Sequence, residues 1–272
     1  MRTIQKLLII GCGTIGRIVA KSCETIKEIE RVYIYDKNPD RMDAIRKMVK
    51  KAQSIKKVEN IVDDVDVVLE AASQQAVIDF GLMVLKNGKD LLVMSVGALV
   101  NDELRNDLIR QAEISNCNIY IPSGAIGGID ALYAISPENI DEVVLTTTKH
   151  PDSFKNNKYL QDHGINIEEL TELTKVYSGN ARQAVKFFPE NINVAATVSL
   201  AGIGFDKTVV NIYADPTVKY NIHYLSVKGK FGELDVTTKN VPSPDNPKTS
   251  YLAALSAIGF IRKQTSRFFI GL

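Results

Sequence analysis

The chain has 272 residues, with 33 Lys and Arg against 32 Asp and Glu, for a formal net charge of +1. That balance gives no electrostatic footprint for nucleic acid or an anionic membrane surface, and 45% hydrophobic with 24% charged residues is the composition of globular domains. Three cysteines (Cys12, Cys23, Cys117) form no CxxC pair and three histidines (His150, His163, His223) lack metal-ligand spacing, so no disulfide framework and no metal are expected, and a cytoplasmic setting fits.

The N-terminal run MRTIQKLLII passes straight into a glycine loop; it is too short for a membrane span and lacks a small-residue cleavage site. No other stretch approaches transmembrane length, so no membrane partner is expected. Short apolar runs at Leu7–Ile10, Val32–Tyr35, Val67–Glu70, Leu91–Ser95 and Ile119–Pro122, with a weaker one near Lys57, read as strands covered on both faces. Helical periodicity lies between them, as in Ile15, Ile18, Val19 and in Leu104, Leu108, Ile109, Ala112. The basic cluster from Arg46 to Lys51 reads as a solvated helix face.

After Ser123-Gly124-Ala125-Ile126-Gly127-Gly128 the texture changes. A strand is expected at Val143–Thr148, then a polar loop from His150 to Asn166, then helices at Ala181–Phe187 and Val194–Ala201. Val209–Ala214, Tyr220–Val227 and Leu234–Thr238 are expected to form an antiparallel meander, with turns at Asp215-Pro216 and Gly229-Lys230. Pro242, Pro244 and Pro247 precede a final helix from Thr249 to about Arg262. The expected fold is α/β: a Rossmann dinucleotide-binding domain over 1–122 and an α+β domain with a mostly antiparallel sheet over 123–241. Residues 242–272 would then pack back on the first domain, with the substrate cleft at the crossover.

Gly11-Cys12-Gly13-Thr14-Ile15-Gly16 matches G-x-G-x-x-G, follows a strand and opens a helix, and Asp36 ends the next strand twenty positions after Gly16. Each part has a task. Gly11 permits the turn, Gly13 admits a pyrophosphate, and Gly16 lets helix pack on strand. The helix N-terminus at Thr14 and Ile15 offers N–H groups to the anion. Asp36 would accept from ribose hydroxyls and repel a 2′-phosphate, which favours NAD, but Lys37 beside it offsets part of that repulsion, so NAD or NADP is expected. The other reading of Asp36 is a turn residue. Ala71, Ser73 and Ser95, at the carboxyl ends of two strands, leave room for a nicotinamide-ribose or merely permit tight turns.

The sequence resembles the L-aspartate dehydrogenase family along essentially its whole length. The residues that carry this are Pro122–Gly128 (PSGAIGG), Phe188–Ala196 (FPENINVAA), Ala214-Asp215-Pro216, Asn221-Ile222-His223 and the run from Asn240 to Ser250. The resemblance implies NAD- or NADP-dependent oxidation of L-aspartate to iminoaspartate, which is hydrolysed to oxaloacetate and ammonia or passed to NAD biosynthesis. It implies His223 as the active-site histidine and Ala125 and Asn193 as cofactor contacts, with Asn191 as the competing asparagine. By the same analogy a homodimer is expected.

Read from the residues alone, His223 shares a strand face with Asn221, Leu225 and Val227, which suits a packing histidine as well as a catalytic one. A base with a reference pKa of about 6.5 would deprotonate the substrate amine and promote water attack on the imine. A dicarboxylate substrate calls for a cationic clamp, for which Arg182 and Lys248 are candidates; either residue has a structural alternative, as a helix cap or a bridge. The alternatives are a reductase or dehydrogenase of another amino-acid pathway, such as dihydrodipicolinate reductase or homoserine dehydrogenase, and a non-catalytic dinucleotide sensor.

Overall fold

The computed structural model describes residues 4–135, 137–189, 192–243, 246–268 and 270, with the backbone alone at 246–248. The chain divides into two compact units, one of residues 1–122 with 254–272 and one of residues 123–253.

The first unit alternates strand and helix: β1 (Lys6–Ile10), α1 (Thr14–Cys23), β2 (Arg31–Tyr35), α2 (Pro39–Met48), β3 (Ala52–Ser54), β4 (Val67–Glu70), α3 (Gln74–Lys86), β5 (Asp90–Val93), α4 (Asp102–Ser115) and β6 (Ile119–Tyr120). Every pairing is parallel and the order is β3-β2-β1-β4-β5-β6, the doubly wound Rossmann arrangement. Leu7, Leu8 and Ile9 of β1 and Val68 and Leu69 of β4 are fully buried, as strands covered on both faces must be. Local chemistry starts and stops the helices. Asn38, Ser73 and Asn101 accept from the backbone N–H groups of Asp40, Ala76 and Leu104 at the starts of α2, α3 and α4, and left-handed Asn116 ends α4.

Two strand expectations need correction here. The weak strand lies at Ala52–Ser54 rather than near Lys57, where Val58 is buried in a 3-10 turn instead; an edge strand pairs by its backbone and needs no apolar run. The sixth strand stops at Tyr120, short of Pro122, which has no N–H to pair.

The second unit contains α5 (Ile129–Ala134), β7 (Ile140–Lys149), α6 (Lys158–Asp162), β8 (Thr174–Asn180), α7 (Ala181–Phe187), α8 (Asn193–Ala201), β9 (Val209–Ala214), β10 (Asn221–Gly229), β11 (Gly232–Asn240), β12 (Pro242–Ser243) and β13 (Asn246–Ser250). A helix α9 (Tyr251–Thr265) follows and belongs to the first unit from Ala254 onward. The five-stranded sheet has the order β11-β10-β7-β9-β8 and is antiparallel except where β7 lies parallel to β9.

The expected three-strand meander therefore does not form. The β10–β11 hairpin is present, but β7 separates β9 from β10. The connection at 215–220 has to step over one strand, about 10 Å, well within the reach of six residues. Asp215 starts that step: its N–H donates to the Lys149 carbonyl and its carboxylate accepts from the N–H and hydroxyl of Thr217. Helices α5 and α7 each pack against α8, which buries Val194 through Ser199.

Candidate active site

In the first unit the glycine loop joins β1 to α1. Gly11 has φ +103°, and a Cβ there would stand 2.6 Å from the Ala71 carbonyl, while a Cβ on Gly16 would strike the Gly11 oxygen. Neither position admits a side chain. Above Gly13, by contrast, an added Cβ meets nothing within 4 Å, and α1 starts with no side-chain cap and no acidic residue in its first turn. An open approach beside uncapped N–H groups fits a dinucleotide pyrophosphate. Thr14 and Ile15, half-buried, form that first turn.

Asp36 stands at the end of β2 and is tied to the loop: Oδ2 accepts from the Cys12 N–H at 2.7 Å and Oδ1 from the Asn38 N–H at 2.8 Å. The Cys12 thiol is pushed up to about 12 by its burial and by Asp36, which leaves it inert as a nucleophile.

A group the sequence reading passed over organises the neighbouring strand ends. The Glu70 carboxylate, 1% exposed, accepts from the N–H groups of Ala72, Ser73 and Ser95 and from the Ser95 hydroxyl, all at 2.8–2.9 Å. Burial raises its pKa against the pull of those bonds. The hydroxyls of two expected cofactor contacts are thus engaged at home: Ser95 on Glu70, and Ser73 as the cap of α3. Ala71, half-buried, donates its N–H to the Ile10 carbonyl.

In the second unit the sheet's buried face is apolar at one end and polar at the other. Val143, Leu145, Leu225 and Val227 fill the first; Thr147, Lys149, Asn221, His223 and Asn240 the second. Register aligns the polar end in two rows. One runs Thr147–His223–Thr238 across β7, β10 and β11; the next holds Lys149 beside Ala214 of β9, and Asn221 beside Asn240. His223 is 1% exposed, and its Nδ1 lies 2.9 Å from the Thr147 hydroxyl. Asn221 donates to the Ser250 hydroxyl at 3.3 Å.

The glycine-rich segment after Pro122 is pinned to this end. The Asn240 amide donates to the Ala125 carbonyl at 2.7 Å, and the Gly127 N–H donates to the Thr238 hydroxyl at 3.2 Å. Ala125 and His223 are so held to adjacent rows of one sheet. Asn193 is exposed in the first turn of α8, and Asn191 lies outside the described residues.

Burial, and then the charge of Lys149, push the His223 imidazole down to about 3. The expectation of a base at its reference pKa does not hold in this environment: a low-dielectric surrounding and a nearby ammonium both disfavour the imidazolium. Lys149 is itself brought down to about 8 by burial. Of the expected clamps, Arg182 forks onto Asp206 with bonds of 2.7 and 2.8 Å and lies over the Phe205 ring, so its fork is engaged. Lys248 falls in β13, where its side chain lies outside what is described. His150, next in the chain after Lys149, accepts from the Asp152 N–H through Nδ1, and exposed His163 stacks on Tyr159.

Comparison with known proteins bears on the chain as a whole. Residues 130–264 match the family model described as aspartate dehydrogenase, C-terminal, and residues 11–122 match the NAD-binding domain of homoserine dehydrogenase. The L-aspartate dehydrogenase of Methanosarcina barkeri is 42% identical over 268 residues, covering 98% of this chain and 99% of the relative. That of Nitrosopumilus maritimus is 40% identical over 266 residues, or 97% of each. The crystal structure of aspartate dehydrogenase from Thermotoga maritima superposes with a TM-score of 0.78 at 29% identity, over 98% of this chain and 99% of that one. A myo-inositol dehydrogenase from Corynebacterium glutamicum, 12% identical with a TM-score of 0.54, shares the fold alone. With similarity of this degree over nearly its full length, the chain belongs to the L-aspartate dehydrogenase family.

Proposed function

We propose that this protein oxidises L-aspartate with NAD or NADP to iminoaspartate, which is then hydrolysed to oxaloacetate and ammonia or handed to NAD biosynthesis. The observation that carries the reading is His223, buried at the polar end of a sheet, in a chain of this family. The open approach at Gly13, the N–H groups at Thr14, Ile15 and Gly16, and Asp36 would hold the dinucleotide, with Ala71, Ser73, Ser95, Ala125 and Asn193 along its nicotinamide end. When bound, the nicotinamide supplies the acceptor for the hydride on the substrate Cα.

The chain's own part is proton handling. With Nδ1–H donated to Thr147, Nε2 keeps its lone pair and takes a proton from the substrate ammonium, freeing the amine. Burial and Lys149 keep that nitrogen unprotonated before substrate arrives. A substrate carboxylate beside it raises its proton affinity at the moment it is needed. The protein is read as cytoplasmic, with support from three buried free thiols and from the lack, among the described residues, of a helix long and apolar enough to cross a membrane. A homodimer is inferred through the other face of the five-stranded sheet, where Val144, Ile222 and Tyr224 remain partly exposed. His223→Ala should lower kcat by roughly 10²- to 10⁴-fold while leaving NADH affinity intact. A folded variant that binds NADH and turns over aspartate within a few-fold of wild type would sink the assignment.

A further inference from the structure

We propose that Lys149 receives a carboxylate of the substrate and so sets the amine against His223, an inference that rests on the aspartate-oxidising function above. Thr147 stands directly across from His223 in the β7–β10 ladder, and Lys149 is two residues further along β7 on the same buried face. That makes it the diagonal neighbour of His223, a separation that long side chains span in antiparallel pairs. On the other flank its register partner is Ala214, whose single methyl takes little of the space beside the lysine stem.

Charge singles out the same residue. Among the described residues, Lys149 is the one lysine or arginine in the buried set of the second unit. Burying an ammonium costs folding free energy, and Lys149 titrates well below an ordinary lysine for that reason, yet it stays charged at neutral pH. Hydroxyl and amide groups at Thr147 and Asn221 flank it, and both suit the oxygens of a bound carboxylate.

The test uses the full chain carrying Lys149→Met and, in parallel, Lys149→Gln. Steady-state rates with L-aspartate are measured beside NADH fluorescence titration, and succinate is titrated calorimetrically into the NADH-saturated protein as a non-reacting dicarboxylate. In both variants kcat/KM for aspartate should fall by about 10²-fold or more, as when one partner of a buried charge pair is removed. The loss should fall mainly on KM, succinate binding should disappear, and NADH affinity should stay within about two-fold of wild type. Variants that melt like wild type and keep KM within a few-fold overturn the inference. So does a joint loss of NADH and succinate binding, or the failure of both variants to melt cooperatively, since Lys149 would then serve the fold. Wild-type protein inactive on L-aspartate overturns the functional reading itself, which an active wild type with active variants does not.

Discussion

Lowering the pH from 7.5 to 5 should cost this protein about 2 kcal/mol of stability through His223 alone. In the unfolded chain this imidazole takes up a proton near pH 6.5, whereas in the folded unit burial and Lys149 hold it neutral down to about 3. The folded pKa is depressed, so the contribution is fully present above 6.5 and is lost as pH falls toward 3. At pH 5 the unfolded state has gained about 1.5 pH units of proton binding that the folded state forgoes, at about 1.4 kcal/mol each. Lys149, brought down to about 8, starts to lose its proton only at the top of this window and adds about 0.2 kcal/mol there, a contribution common to both proteins compared below. Urea melts of the wild type and His223→Gln isolate the effect, because every other titrating group is common to both. The chain has no tryptophan, so far-UV circular dichroism and tyrosine fluorescence report the transition. The stability difference between the two proteins should shift by about 2 kcal/mol against the wild type between pH 7.5 and 5. Parallel curves would refute the burial argument and return His223 to an ordinary, solvated histidine.

Two more perturbations probe the first unit. Gly13→Val should abolish NADH binding while the melting temperature of the ligand-free protein barely moves, because the added side chain enters open space that only a pyrophosphate needs; wild-type NADH affinity would remove the cofactor from this loop. Asp36→Ala should raise the ratio of NADP to NAD efficiency through lost ribose bonds worth about 1 to 3 kcal/mol, and should also lower the melting point, since the Cys12 N–H loses its acceptor; an unchanged kcat/KM ratio would confine Asp36 to bracing the loop.

Much of this was readable from local sequence. β4 falls at Val67–Glu70 as its apolar run predicts, α7 at Ala181–Phe187, and His223 shares a buried face with Asn221, Leu225 and Val227 because strand side chains alternate. What escaped was set by partners distant in the chain. β8, TKVYSGN, has too little apolar alternation to stand out and carries an irregularity between Lys175 and Tyr177; it exists because β9 pairs with it. Lys149 closes the polar run Thr146-Thr147-Thr148-Lys149, which reads as a solvated strand end until β9 and β10 flank it. Glu70 looks like a loop-entry acid, and only the parallel placement of β5 brings Ser95 to it. The expected meander failed for the same reason: hairpin turns are local signals, but which strand occupies the middle of a sheet is not.

The division of the chain also bears on how the protein is made. All six strands of the first sheet leave the ribosome before residue 123, yet the helix from Ala254 onward that belongs to the same unit emerges only after the whole second unit. Its Phe260 ring lies 4.5 Å from that of Tyr120, in the two-residue strand β6 at the sheet's edge. Throughout synthesis of some 130 intervening residues that edge lacks this cover, at elongation rates of about 5–20 residues per second. The nascent chain thus carries an incomplete first domain for on the order of ten seconds, with an unpaired strand edge as its point of vulnerability to misassociation.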